Sequence, residues 1–205
     1  VEVTEGKLRM LLVDRVPRWE FRYLRNLLRR DEQTEFDAIL LSPYSTSTSG
    51  DVPVQFPSRR EAWDRYRIVI LGDLGPGELD ASHQQQLIDY VGRGGGTLVL
   101  IAGERLPATF EDQPLGTMLP VDPAAPAQSV RALAASGDPE SAVVAQLADD
   151  ALTDGRLWRE QFGPPASALE LVRYARPRAT ARVLVRGMTD AAEAADPNPQ
   201  VAFLC

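Results

Sequence analysis

"KLRMLLVDRVPRWEFRYLRNLLRR", Lys7 to Arg30, decides the fold class. Lys7 to Val13 is a short, uninterrupted apolar run of the length of a buried strand. The period then changes. Pro17 carries a φ suited to a first helical turn, and apolar residues recur at helical spacing through Arg30. A buried strand feeding a helix is how a parallel sheet begins.

The rest of the first half continues this alternation. Phe36–Leu41 (FDAILL), Arg67–Leu71 (RIVIL) and Thr97–Ala102 (TLVLIA) read as strands, and Ser42–Gly50 reads as a polar loop. Ser82–Val91 reads as a helix, with Ser82 and Gln85 at capping-box spacing. The strands are continuous apolar runs rather than alternating ones, which is the pattern of a parallel sheet covered on both faces. The expected fold is therefore α/β with a mostly parallel sheet. The second half reads less regularly. Gln128–Ala134, Leu169–Tyr174, Ala181–Arg186 and Val201–Leu204 suggest strands, some of them antiparallel, and Pro139–Ala148 suggests a helix. Residues 1–205 are read as a single α/β domain, with a parallel core over 1–121 and an extension over 122–205.

Composition narrows the chemistry. The 205 residues carry a formal net charge of -7, so no global basic field draws nucleic acid. The one cysteine is Cys205 and the one histidine is His83. Disulfides within the chain, cysteine-based zinc sites and two-histidine metal sites are thereby excluded. No apolar run approaches the roughly 20 residues that span a bilayer. The chain opens on Val1 and closes on an apolar run, and it is read as a piece of a longer protein.

"GRGGG", Gly92 to Gly96, invites a phosphate-loop reading. Such loops need a strand before the glycines and a helix after them. Here the order is reversed, so the glycines are read as a helix end and a tight turn into the next strand.

In open parallel sheets, ligands bind beyond the C-terminal strand ends. Asp14, Asp73 and Glu104 all stand at such ends, with Arg18 and Arg105 close by in sequence. If the strands are neighbours, these acids could share a hard cation such as magnesium. The plainer reading is that acids at strand ends cap the following turns. A nucleophilic set fails, because His83 is the only base and is expected at a helix start on the far side of the sheet.

Several segments, in order, carry a resemblance: "LLVDRVPRWEFRYLRNLL", "YRIVILGDL", "LIDYVGRGGGTLVLIAGE" and "PLGTMLPV". From Lys7 to Val121 the chain resembles the class I glutamine amidotransferase-like superfamily. More narrowly, it is similar to the amidotransferase-like domain of large bacterial membrane-anchored proteins, often with von Willebrand A-type modules. "LTDGRLWREQF" and "PRATARVLVR" resemble the later part of that domain. The resemblance implies a flavodoxin-like three-layer sandwich, and a soluble, periplasmic or otherwise envelope-associated setting. It also implies a cysteine nucleophile in a G-x-C-x-G elbow. The matching segment here is "LIAGERL", where Ala102 and Gly103 take the elbow and no cysteine stands. The late histidine is missing too. Glutaminase activity is therefore not expected.

On a helical wheel, Arg18, Arg22, Arg25 and Arg29 form one stripe, and Trp19, Phe21, Tyr23, Leu24, Leu27 and Leu28 fill the wider face. That face is expected on the sheet. Glu20 falls near its middle, where a carboxylate needs a partner. The candidate rim is thus Asp14, Arg18, Glu20, Asp73, Gly103, Glu104 and Arg105. No cofactor is expected, and the expected partners are other domains of a parent protein or a separate protein. No nucleic acid, and no membrane insertion by this segment, is expected.

Overall fold

The structure is a computed structural model, and it describes residues 6–42, 48–49, 52–53, 56–106, 108–122, 127–130, 132–135, 146–162, 171–174, 177–188 and 201–204. The chain divides into two compact units, Val1–Met118 and Leu119–Cys205.

The first unit is built on strands β1 (Leu8–Asp14), β2 (Thr34–Leu40), β3 (Thr48–Ser49), β4 (Val52–Pro53), β5 (Ile68–Leu71) and β6 (Thr97–Leu100). Its sheet order is β4-β3-β2-β1-β5-β6. The four strands β2-β1-β5-β6 are all parallel, with Leu12 opposite both Ala38 and Ile70. β3 and β4 add a short antiparallel edge through Ala38 and Thr48. Part of the expected polar loop therefore pairs with the sheet, while residues 43–47 and 50 lie outside the described residues.

Helix α1 (Trp19–Arg30) joins β1 to β2, and α3 (Ala81–Gly92) joins β5 to β6. A short α2 (Arg60–Trp63) precedes β5. The chain leaves β1 in one direction to reach β2 and the other way from β5 to β6. Right-handed crossovers then place α1 and α3 on opposite faces of the sheet. Strand alternation distributes the core accordingly. Leu12, Ala38 and Ile70 meet Phe21 of α1 on one face. Leu11, Val13, Val69 and Leu71 are fully buried facing the other way. This is a flavodoxin-like α/β sandwich, and its strand order reverses between β1 and β5.

Several boundaries shift from the sequence reading, and each has a local cause. α1 begins at Trp19 with Arg18 as its extended N-cap, one position beyond Pro17. α3 is capped by Asp80 rather than Ser82, and the Asp80 carboxylate accepts the His83 amide at 2.8 Å. The helix starts at Ala81, so the N-cap position falls on Asp80 and Ser82 already lies within the first turn. The helix ends in the glycine turn as expected. Gly95 takes a φ of 65°, and a Cβ on Gly96 would overlap the Tyr90 ring.

The second unit holds β7 (Ala127–Val130), β8 (Ala132–Ala135), β9 (Leu171–Tyr174), β10 (Val183–Met188) and β11 (Val201–Leu204). They form one antiparallel sheet of order β7-β9-β11-β10-β8. Helix α4 (Ala151–Phe162) packs on β8. The sequence reading gave no helix there, since Gly155 and scattered polar residues blur its period. A signal was present, however: Asp150 accepts the Thr153 amide at 2.9 Å as a helix cap does. The helix expected over Pro139–Ala148 falls largely outside the described residues, and Gln146–Ala148 is not helical.

Candidate functional site

The strand order reverses between β1 and β5, and open α/β sheets bind ligands beyond the C-terminal strand ends at such a point. Two buried carboxylates stand there. Asp14 ends β1 and is 2% exposed; Asp73 follows β5 and is also 2% exposed.

Asp14 is held by the chain itself. It accepts the Arg15 amide at 2.7 Å, and the Arg18 guanidinium grips it through Nε at 3.1 Å and Nη2 at 3.0 Å. The same Nη2 donates to the Ile101 carbonyl, beyond β6, at 3.2 Å. Since β5 lies between β1 and β6, Arg18 reaches across the end of β5. The residue it crosses is Gly72, whose missing side chain leaves room for the Asp14 carboxylate. Burial pushes the Asp14 carboxyl above its ordinary value, against the opposing pull of Arg18.

Asp73 is committed in another way. Its Oδ1 accepts the amides of Arg105 at 2.9 Å and Leu106 at 2.8 Å, and Arg105 Nη1 lies 3.5 Å from Oδ2. It thereby pins the segment after β6 onto the end of β5. Gly103 lies so close that a Cβ there would stand 2.6 Å from Asp73 Cγ. At the outer rim, Arg15 Nε meets Glu78 at 2.8 Å, and Glu78 in turn accepts the Gly75 amide at 2.5 Å.

Of the residues singled out in the sequence, the structure thus joins Asp14, Arg18 and Glu20 in one cluster, and Asp73, Gly103 and Arg105 in a second. Glu104 is exposed and stands outside both. Among the described residues, no three carboxylate, histidine or cysteine side chains come together to hold a metal ion. The shared-cation arrangement of Asp14, Asp73 and Glu104 is therefore not formed, because the two buried acids are turned toward arginines and amides.

Glu20 corrects its expectation. It lies on the outer side of α1, 51% exposed, with Arg18 Nη1 3.5 Å away. The whole helix is turned relative to the expected orientation. Phe21 and Leu28 are buried, Leu24 and Arg25 half-buried, and Trp19, Tyr23 and Leu27 face outward. Arg18, bonded to Asp14 at the end of β1 and to the Ile101 carbonyl, fixes this roll, while the Arg25 guanidinium, 5.9 Å from the Phe21 ring centre, makes its contact within the same helix. The arginine stripe is therefore split: Arg18 turns inward, whereas Arg22 and Arg29 are exposed.

His83 also differs from expectation. α3 returns from the end of β5 to the start of β6, so its first turn lies at the pole of the sheet where the parallel strands end, not the far one. The imidazole is partly covered. Nδ1 lies 2.9 Å from Asp80 Oδ1, and the ring meets Phe56 edge-on at 4.9 Å.

The strand after which an amidotransferase elbow would stand ends at Leu100, and Ile101–Gly103 continue without regular structure. Ala102 and Gly103 lack the positive φ that some tight turns need; among described non-glycine residues only Asp112 has one, at 56°.

Two polar clusters were missed in the sequence. Asp37, buried in β2, accepts the Tyr66 hydroxyl at 2.5 Å, with Arg9 3.5 Å away and its guanidinium 5.8 Å from the Tyr66 ring centre. A charged residue in the run FDAILL was the available signal. Gln84, also buried, donates to the Leu79 carbonyl at 2.8 Å and accepts the Leu115 amide at 3.1 Å. Nothing local marked Gln84 among its glutamine neighbours.

Fold and site together define a class: a flavodoxin-like α/β protein whose own arginine spans the strand ends where its strand order reverses. No family model, no curated protein and no solved structure matches the chain.

Proposed function

We propose that this chain is a non-catalytic binding or interaction module on an amidotransferase-like scaffold, a part of a larger bacterial envelope protein. The scaffold and its setting rest on the resemblance of Lys7–Val121. The observation that carries the non-catalytic reading is the Arg18 span. A guanidinium bonded at once to Asp14 and to the Ile101 carbonyl occupies ground that a substrate would need. The remaining machinery of glutamine hydrolysis has no counterpart in the residues: Ala102 and Gly103 replace the nucleophile elbow, and His83 is engaged with Asp80. The alternative reading of the strand-end acids, a metal-dependent hydrolase or phosphoryl-transfer enzyme using Asp14, Asp73 and Glu104, loses its support, since those acids do not gather.

The direct test is ammonia release from glutamine by the purified chain, beside a hydroxylamine assay for acyl transfer. Neither should exceed the background of an Arg18→Ala variant. Turnover that depends on His83 overturns the reading.

A further inference from the structure

The outward roll of α1 leaves a row of large apolar side chains in solvent. Trp19 is 82% exposed, Tyr23 70% and Leu27 52%. They follow one another at four-residue intervals, so they form a single ridge about 12 Å long on the helix surface. Arg22 and Arg29 run beside the ridge and Arg30 closes its C-terminal end; all three are exposed. The acids of the helix and its cap are Glu20, which lies near Arg18, and the exposed Asp31, which follows Arg30.

We propose that this face docks an acidic amphipathic helix of a partner protein. The inference rests on the reading of the chain as an interaction module and names the surface and the partner's chemistry. Ridge geometry and charge both select that partner. A row at four-residue spacing fits the groove between two such rows on a second helix, crossing at roughly -50°. Trp, Tyr and Arg are the residues that most often anchor protein interfaces. Arginines lining the ridge call for Asp and Glu beside the partner's groove. A second copy docking by this same face would bring Arg22, Arg29 and Arg30 against their own kind. An extended anionic membrane would also confront the rest of a chain whose net charge is -7, whereas a helix meets only the ridge.

The test is selection from a displayed library of short helical peptides with randomised outer faces, against the whole chain. Enriched peptides should carry apolar residues at four-residue spacing flanked by Asp or Glu. Their affinity should weaken with added salt. It should fall about tenfold or more on Trp19→Ala or Tyr23→Ala, and similarly on paired Arg22→Glu and Arg29→Glu replacement. The exposed positions of these residues allow the thermal midpoint to verify that each variant is folded. The proposal is overturned by an empty selection, by peptides without acidic excess, or by peptides indifferent to these variants. It is equally overturned if Trp19→Ala instead abolishes self-association or binding to phosphatidylserine vesicles. Peptides that bind elsewhere on the chain would remove this face and leave the module reading intact. Histidine-dependent ammonia release would do the reverse.

Discussion

Gly72 and Asp14 fit together at the end of the β1–β5 pair: a methyl group on Gly72 would overlap the Asp14 carboxylate. The glycine's φ is not positive, so backbone freedom does not explain its presence. Space does. Gly72→Ala must either displace Asp14 from Arg18 or push β1 away from β5, and neither alternative is easily met in a packed core. The expected cost is about 2–3 kcal/mol, in the range of overpacked interiors, read as a lowered urea midpoint. A variant as stable as the parent would show that the carboxylate moves freely, and with it the Arg18 span.

The buried Asp14 makes a prediction about pH. Its folded-state pKa lies above the ordinary 3.8, because burial outweighs Arg18. Between those values the folded chain binds a proton that the unfolded chain has released. The stability due to Asp14 is therefore greatest below 3.8 and declines as pH rises through the folded-state value. Asp14→Asn does not titrate and lacks this decline. The stability advantage of the parent over Asp14→Asn should shrink between about pH 3 and about pH 7. Urea midpoints of both proteins across that interval measure it. An advantage that grows with pH would mean that Arg18 dominates instead.

Glu20 is expected to matter little. It is half-exposed and its contact with Arg18 is 3.5 Å long. Ion pairs of that kind contribute about 0–1 kcal/mol. Glu20→Gln should leave the thermal midpoint nearly unchanged in low salt and unchanged in high salt. A large loss would return Glu20 to the buried role that its place on the helical wheel suggests.

That contrast shows what the sequence could carry. Leu11–Val13 and Val69–Leu71 are legible as buried parallel strands, and the half-buried edge strand Thr97–Leu100 as a parallel strand, because an apolar run of that length is a local property. The glycine turn at Gly94–Gly96 is legible for the same reason. The placement of Asp14 and Asp73 at strand ends follows directly from those strands. The roll of α1 was not legible. The apolar arc of the helix is wider than one sheet can cover, and the choice among its residues is made by Arg18 reaching Asp14 and Ile101. The first of these partners is four residues away and the second 83. Wheel periodicity has no access to the second. Asp37 is a similar case, since the residue that satisfies it, Tyr66, lies 29 positions along the chain.

The Asp37–Tyr66 bond offers the last prediction. The two residues are 3% and 5% exposed, and burial together with the nearby carboxylate raises the phenol well above its ordinary value. Tyr66 therefore remains a neutral donor throughout the working pH range, and the carboxylate acts as its acceptor. Tyr66→Phe keeps the packing but leaves a buried oxygen with only Arg9, 3.5 Å away. The expected loss is about 1–3 kcal/mol, the cost of stranding a buried acceptor. In Tyr66→Phe combined with Asp37→Leu the stranded charge is gone, so the double replacement should cost less than the sum of its parts. Denaturation of the four proteins in this cycle gives the coupling directly. A coupling near zero would mean that the two groups are solvated independently, and that the middle of the β1–β2 pair is held by packing alone.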